Sequence, residues 1–319
     1  MYKDYFGLKT NPFNVSPDPR FLVPTRETKE TFASLTYGVQ QRRGFILLTG
    51  EVGTGKTTIL NTFLEWLRKA SFATAFIFNP RLSVVEFLDF MMTDFGIVCE
   101  SELKSQKLIR VNQWLLEHYQ ANETAVLIVD EAQSLSAEVM EEIRLLTNLE
   151  TAREKLLQIV LAGQPELEYK LNQPLLRQLR QRITLWCKTR PLSREQVEVY
   201  VRERLRIAGR ERGDIFTPGA YDAIHSYSHG IPRIINLLCD HALITAFAEG
   251  QSSVQALIID GVAKEFALPN QPINLAHNSG NDNGVETQKS KALEYLAAAD
   301  EHEAATLLAQ LKGPYEPNS

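Results

Sequence analysis

A glycine-rich loop that follows a short apolar run constrains this chain more than any other feature. The apolar run spans residues 44–49, and the loop that follows reads Gly50-Glu51-Val52-Gly53-Thr54-Gly55-Lys56-Thr57-Thr58. This order predicts a buried strand, a tight turn and a helix, with backbone N–H groups that wrap a triphosphate. Lys56 would reach the β and γ phosphates, and Thr57 would ligate Mg²⁺. The sequence therefore predicts binding of ATP or GTP.

Two adjacent carboxylates follow a second apolar run. Residues 125–129 predict another buried strand, and Asp130 and Glu131 come directly after it. Because open α/β sheets bind ligands at the carboxyl ends of their parallel strands, we expect both side chains at the nucleotide. Asp130 would hold Mg²⁺ through its water shell, and Glu131 would polarise the attacking water. The alternative is that the pair caps a solvated helix.

Length and composition fit an intracellular enzyme with a sizeable core. The chain has 319 residues, of which 44% are hydrophobic, and a formal net charge of −5. The three cysteines, Cys99, Cys187 and Cys239, lie far apart without metal-ligand spacing, so we expect core residues in a reducing compartment. The first residues lack the pattern of a signal peptide, and no apolar run reaches the roughly 18 residues of a membrane helix. These features predict a cytoplasmic protein.

Short apolar runs alternate with amphipathic stretches over the first part of the chain. The predicted strands are 44–49, 73–78, 125–129, 156–162 and 183–187. The predicted helices are 55–70, 84–95, 104–120 and 137–151, the second of them behind a capping box of Ser83 and Glu86. The sequence therefore predicts an α/β fold with a parallel five-stranded sheet.

Strand signals end after Pro191, and only helix signals continue. A capping box of Ser193 and Gln196, an N-cap at Thr217 and the turn before Arg233 open three helices, and a shorter helix follows at 253–266. We expect a domain order that consists of an N-terminal segment at 1–43, a nucleotide-binding domain at 44–190, a helical lid at 191–268, a flexible linker at 269–288 and a tail with an amphipathic helix at 289–319. The tail helix either packs on the body or docks on a partner.

Positive charge is concentrated between Arg177 and Arg212. This stretch holds eleven Lys and Arg against four Glu, a local excess of seven positive charges in an acidic protein. Arginine-rich helices with glutamates at helical spacing are commonly solvated faces. The remaining interpretations are contact with a phosphate, a neighbouring subunit or DNA.

A nucleotide-binding domain followed by a small helical domain resembles the AAA+ ATPases. The resemblance implies that Gln164, directly after the fourth strand, senses the γ-phosphate, and that Arg233 is the second sensor on a lid helix. Arg177, Arg180 and Arg182 lie where AAA+ subunits present an arginine to the ATP of a neighbour, and Arg180 is slightly favoured. A positioned guanidinium can stabilise the charge of phosphoryl transfer. Any of these arginines could instead pair with surface carboxylates.

Several motifs that recur in order are similar to the ExeA/GspA general-secretion ATPases and their relatives in exosortase-linked polysaccharide and pilus systems. They are Tyr5-Phe6-Gly7-Leu8, Asn11-Pro12-Phe13, the loop at 50–58, Val129-Asp130-Glu131-Ala132-Gln133, Leu179-Arg180-Gln181-Arg182-Ile183 and Gly230-Ile231-Pro232-Arg233. The similarity covers about residues 2–268. It implies Mg-ATP hydrolysis, association with other copies of the chain and a protein partner in bacterial envelope assembly.

The chain departs from the ExeA type after its ATPase core. That type continues into a transmembrane segment and a peptidoglycan-binding domain, whereas a linker and one short helix follow here. We therefore expect no direct membrane insertion, and any place at the inner membrane would come through a partner. One alternative is a DNA-associated ATPase of the transposition type, although the net negative charge of the chain disfavours DNA binding. Another is a signalling switch that holds nucleotide with little turnover.

Overall fold

The chain forms two compact units. A computed structural model describes residues 2–14, 16–78, 81–152, 154–210 and 214–269. The sheet unit contains Lys29–Gly50 and Leu60–Thr189, and the helical unit contains Glu51–Ile59 together with the described residues up to Thr28 and from Arg190 onward. Beyond residue 269, the predicted linker and the predicted tail helix at 289–319 lie outside the described residues. The domain boundaries stay predictions.

Five parallel strands form the sheet of the sheet unit. They are β1 (Phe45–Thr49), β2 (Ala73–Ile77), β3 (Ala125–Val129), β4 (Leu157–Gly163) and β5 (Leu185–Lys188). Their order is β2-β3-β4-β1-β5, which confirms the predicted parallel five-stranded sheet. Every residue of β1, β3 and β4 is buried, as expected for strands that are covered on both faces. The register pairs Val129 with Leu161 and Thr49 with Gly163, so the carboxyl ends of these three strands share one edge.

Helices fill the connections in both units. Within the described ranges they are α1 (Tyr2–Tyr5), α2 (Arg26–Gln40), α3 (Lys56–Lys69), α4 (Val84–Asp94), α5 (Lys104–Gln120), α6 (Ala137–Leu146), α7 (Pro165–Leu171), α8 (Arg177–Arg180), α9 (Arg194–Ile207), α10 (Pro218–Ser228), α11 (Pro232–Ala248) and α12 (Ala256–Glu265). The predicted capping boxes of Ser83 and Ser193 are both present. None of the helices in these ranges is long and apolar enough to cross a bilayer.

Several helices differ from the sequence interpretation. Helices α1, α2, α7 and α8 were not predicted, and α6 ends at Leu146 although 137–151 was expected. The early end has a local cause, because the Thr147 hydroxyl donates to the Arg144 carbonyl and the chain then turns back to form an antiparallel bridge between Glu150 and Lys155. Pro165 occupies the first turn of α7, where a missing N–H costs nothing.

The core of the helical unit includes the N-terminal residues. Phe6, Leu8, Phe13 and Phe21 are buried in the same apolar cluster as α9 to α12. Arg204 of α9 is buried there as well, and its guanidinium donates to the Pro12 carbonyl and to the Tyr200 hydroxyl. The predicted N-terminal segment thus supplies core side chains to the helical unit.

Candidate functional site

The loop at 50–55 joins the end of β1 to the start of α3. Two of its glycines have backbone angles in the left-handed region, with φ of 80° at Gly53 and 97° at Gly55. Such angles are accessible to glycine at little cost, and they turn successive N–H groups toward one point. The loop therefore has the backbone of an anion-binding turn at a helix N-terminus.

Lys56 lies within this turn rather than pointing into solvent. Its side chain is buried, and its ammonium donates to the Glu51 carbonyl at 2.9 Å. The Thr54 hydroxyl donates to the same carbonyl at 2.7 Å. A buried ammonium at the start of a helix is a favourable site for a phosphate, so the residues present fit the expected triphosphate. Thr57, the predicted Mg²⁺ ligand, follows in the first turn of α3.

The predicted carboxylates lie at the carboxyl end of β3. Asp130 is buried, its N–H donates to the Ile77 carbonyl of β2, and its Oδ1 accepts the N–H of Glu131 at 2.9 Å. Glu131 has a φ of 53°, which is strained for a residue with a side chain and is typical of functional positions. The strand end thus turns sharply at the residue that was predicted to act as a base.

Two glutamine side chains hold the Glu131 carboxylate. Its Oε2 accepts hydrogen bonds from Gln133 Nε2 at 2.5 Å and from Gln164 Nε2 at 3.1 Å. Gln164 directly follows β4, the neighbour of β3 in the sheet. The structure therefore brings the predicted base and the predicted γ-phosphate sensor into contact. Gln133 was noticed in the sequence only as part of a motif.

Lys170 of α7 fixes the backbone of the turn that carries Gln133. Its ammonium donates to the carbonyls of Gln133 and Leu135. Burial lowers the pKa of Lys170, and the nearby Glu138 carboxylate acts in the opposite direction. Sequence reasoning missed this lysine because its partners are backbone atoms of a distant segment.

Arg233 is linked to the phosphate loop through its backbone. Its N–H donates to the Gly53 carbonyl at 3.2 Å, at the start of α11. A Cβ on Gly53 would lie 2.8 Å from the Arg233 Cβ and 3.0 Å from Ile231 Cγ2, so the approach requires glycine. Gly230 is required for the same reason, since a Cβ there would lie 2.0 Å from the Leu192 carbonyl oxygen. The predicted lid arginine therefore lies beside the predicted phosphate loop.

The three arginines before β5 differ in their surroundings. Arg177 and Arg180 are exposed on α8, and the Arg180 guanidinium lies 6.0 Å from the centre of the Trp186 ring. Arg182 is half-buried and donates to the Thr147 hydroxyl at 2.9 Å. Arg182 is thus held by a side-chain hydrogen bond within its own subunit.

Basic side chains at four positions between Arg177 and Arg210 are paired with carboxylates. Arg194 contacts Glu198 and Asp222, and Arg202 contacts Glu198 and Asp214. Further pairs in the same stretch are Lys188 with Glu168 and Arg206 with Glu203. These contacts are what the solvated-face interpretation expects. Arg212 lies outside the described residues.

Known protein families and structures resemble this chain. An AAA domain family matches residues 39–171, which include the loop, the carboxylates and Gln164. This chain therefore contains an AAA domain built on a parallel five-stranded sheet. It is 46% identical over 255 residues to general secretion pathway protein A of Aeromonas hydrophila, a match that covers 80% of this chain and 46% of that protein. The resemblance to the ExeA/GspA type is confirmed, and the chain spans about half the length of this relative.

Solved structures share the fold. An ORC2 protein of Aeropyrum pernix, in ADPNP and ADP complexes, has a TM-score of 0.59 at 17% identity, over 81% of this chain and 72% of that chain. Drosophila ORC bound to DNA has a TM-score of 0.61 at 19% identity, over 94% and 81% of the respective chains. The Thermotoga maritima RuvB branch migration motor has a TM-score of 0.52 at 17% identity, over 78% and 74%. At these identities the likeness concerns the fold alone.

Proposed function

We propose that this protein hydrolyses Mg-ATP and uses the cycle to drive assembly or regulation of a bacterial envelope system through self-association and a protein partner. The observation that supports hydrolysis most directly is the contact of Glu131 with Gln164 at the carboxyl ends of neighbouring strands. It joins a carboxylate that can accept a proton from water to an amide that can contact the γ-phosphate.

Each residue then has one task. The loop N–H groups and Lys56 bind the β and γ phosphates, and Thr57 and Asp130 hold Mg²⁺, which supplies charge neutralisation on the phosphate oxygens. Glu131 orients the attacking water and takes its proton. Gln164 contacts the γ-phosphate oxygen, so that the base and the phosphate keep a fixed spacing.

Arg233 couples the nucleotide to the lid. The hydrogen bond from the Arg233 N–H to Gly53 ties the first turn of α11 to the loop backbone. Its guanidinium would contact the γ-phosphate and hold the lid closed until that phosphate leaves. Arg180 would complete the ATP site of a neighbouring subunit, which makes turnover depend on assembly.

The relative supports the envelope role as a proposal. General secretion pathway protein A carries secretion in its name, and 80% of this chain matches part of it at 46% identity. The ion pairs along α9 leave less positive charge for a DNA backbone than the sequence suggested. The secretion, pilus or polysaccharide-export role is therefore preferred to the transposition-type alternative.

An ATPase assay on the purified chain tests the proposal. Phosphate release is measured with ATP and with GTP, with and without Mg²⁺, and with and without duplex DNA at low and moderate salt. Sizing in a slowly hydrolysed ATP analogue follows assembly. Mg²⁺-dependent ATP turnover that rises with assembly and ignores DNA is the expected result. Salt-sensitive stimulation by DNA would instead favour the transposition-type role.

A further inference from the structure

The side chain of Gln133 is bonded at both ends of its amide. Its Nε2 donates to Glu131 Oε2 at 2.5 Å, and its Oε1 accepts the backbone N–H of Gln164 at 3.1 Å. Gln133 lies in the 3-10 turn Ala132–Ser134, which follows β3, whereas Gln164 follows β4. One amide therefore connects the ends of two neighbouring strands.

The surroundings of Gln133 make room for this bridge and fix its backbone. A Cβ on Gly163 would lie 2.6 Å from Gln133 Oε1 and 2.9 Å from Leu167 Cδ2, so any side chain at position 163 would displace the amide. Lys170 bonds to the Gln133 carbonyl. The bridge therefore depends on a glycine at the end of β4 and on a lysine of α7.

A glutamate needs such support if its carboxylate is to work as a base. The last torsion of a glutamate side chain is broad, so the carboxylate is not oriented by its own rotamer. Two amide donors on one oxygen remove that freedom, and a base must be held to within a few tenths of an ångström to be effective. Gln164 also faces the phosphate in the proposed reaction, so Gln133 is the donor with no other task.

We propose that Gln133 is a positioning residue that orients the Glu131 carboxylate and sets its spacing from Gln164. This inference rests on the proposed ATP hydrolysis. Gln133 touches neither water nor phosphate in this role and acts through the two residues that do. Its loss is expected to slow the chemical step and to leave nucleotide binding intact.

Steady-state kinetics test the role. In Gln133→Ala and in Gln133→Met, which keeps the length without the amide, we expect kcat to fall by about 10-fold to 100-fold and KM to change by less than about twofold. Gln113→Ala, an exposed glutamine of α5, is the matched control and should match the parent. A raised KM with an unchanged kcat would overturn the inference.

A double-mutant cycle separates positioning from general damage. Because Gln133 acts through the carboxylate, Gln133→Ala added to Glu131→Gln should slow the residual rate by less than about twofold. Gly163→Ala, which displaces the amide from the other strand, should reproduce the kcat loss and add little to Gln133→Ala. An equal loss in the parent and in the Glu131→Gln background would mean that Gln133 only supports folding.

A measurement without turnover distinguishes failure of this inference from failure of the proposed function. The side-chain NH₂ signals of Gln164 in the NMR spectrum of the nucleotide-free protein should shift in Gln133→Ala and in Glu131→Ala but stay in place in Gln113→Ala. If they shift in a protein that hydrolyses no ATP, the proposed function fails and the bridge stands. If Gln133→Ala leaves them unchanged, the bridge does not exist and the inference is overturned.

Discussion

The residues assigned to hydrolysis and those assigned to phosphate binding are held by different kinds of contact. In the sheet unit, Glu131 is fixed by the side-chain amides of Gln133 and Gln164. In the helical unit, Lys56 bonds to a backbone carbonyl, and the link between Gly53 and Arg233 is made by backbone atoms. The side chains of Glu131, its two glutamine partners and Lys56 can each be removed by substitution, whereas the backbone link between Gly53 and Arg233 changes only when the chain moves. Hydrolysis should therefore be separable from binding by single substitutions.

The largest expected effect tests that separation directly. Glu131→Gln keeps the size of the side chain but removes the negative charge that activates water, so turnover should fall by about 10²-fold to 10⁴-fold while ATP still binds. Lys56→Ala removes the ammonium from the loop and should weaken binding itself. Phosphate release and equilibrium binding of a fluorescent ATP analogue are measured on the same preparations.

Lys69→Ala is the matched control for Lys56, since Lys69 is exposed at the other end of the same helix. It should bind and hydrolyse like the parent. Parental turnover in Glu131→Gln would mean that the base is misassigned and that the two regions do not divide the work.

The next prediction concerns whether an arginine of the sheet unit contributes to the ATP site of a neighbouring subunit. Arg180 is exposed, whereas Arg182 is bonded to Thr147. We therefore expect Arg180→Ala to lower turnover by about 10²-fold, the usual cost of one donor that stabilises transition-state charge. Arg182→Ala should mainly lower the free energy of unfolding, by about 1 kcal/mol for one lost hydrogen bond. Arg177→Ala is the comparison for a neighbouring exposed arginine.

Mixing experiments supply the decisive readout for Arg180. Arg180→Ala and Lys56→Ala, each nearly inactive alone, should regain part of the activity together because one supplies intact loops and the other intact arginines. If the rate per subunit is independent of dilution and mixing restores no activity, these arginines belong to a solvated surface and do not act on a neighbouring subunit.

A smaller effect concerns the backbone link of the helical unit. Gly53→Ala forces a side chain into a positive φ and against Arg233, whereas Gly55→Ala carries a similar strain but meets nothing within 4 Å. In the nucleotide-free protein, amide hydrogen exchange over residues 228–240 should speed up by about tenfold in Gly53→Ala and by much less in Gly55→Ala. The same amides in the parent should be better protected with an ATP analogue than with ADP.

Equal exchange in both glycine variants would show that strain in the loop, and not contact with Arg233, controls the start of α11. If residues 228–240 of the parent are equally protected in all nucleotide states, the proposed lid closure is wrong.

Local sequence patterns predicted the strands and several of the helices. The bounds of β3 and α5 were predicted to the residue, because polar residues flank a compact apolar run in the first and a helical period ends cleanly in the second. Helix α2 was missed, since three of its residues are threonines and Gly38 interrupts it. A Cβ at Gly38 would lie 2.5 Å from Ile46 Cδ1, so that glycine permits a close approach to the sheet. Such contacts between distant segments leave no local pattern.

The same limit applied to the site. Motif spacing predicted the loop, Asp130 and Glu131 because each follows a strand end. The resemblance to AAA+ proteins added Gln164, which follows the fourth predicted strand. The bridge through Gln133 could not be predicted, since it requires β3 and β4 to be neighbours, and strand order is not encoded in any one segment. Lys170 was missed because its partners are backbone carbonyl oxygens, which no sequence pattern marks.

The smallest expected effect compares the two units through their capping boxes. Ser83 caps α4 in the sheet unit, and Ser193 caps α9 in the helical unit. Loss of either hydroxyl should cost about 1 kcal/mol, the typical value for an N-cap. In urea unfolding followed by hydrogen exchange, Ser83→Ala should weaken protection of α4 and Ser193→Ala that of α9. Equal weakening of both helices by either variant would show that the two units unfold as one.

Each capping box has a hydrogen bond from the N–H of its serine to the side chain three residues later. Acid should affect this bond in one box and not in the other. Glu86 accepts the Ser83 N–H, and hydrogen bonds from the Ser83 backbone and hydroxyl lower the pKa of this carboxyl, whereas Gln196 accepts the Ser193 N–H without titrating. A lowered folded pKa means that the contribution is present above the unfolded pKa of about 4.3 and is lost as the pH falls through the folded value. Glu86→Gln should therefore lower protection of α4 at pH 7, and this effect should shrink as the pH falls below about 4.3 toward the folded pKa. A pH-independent effect would mean that the carboxylate charge does not stabilise the cap.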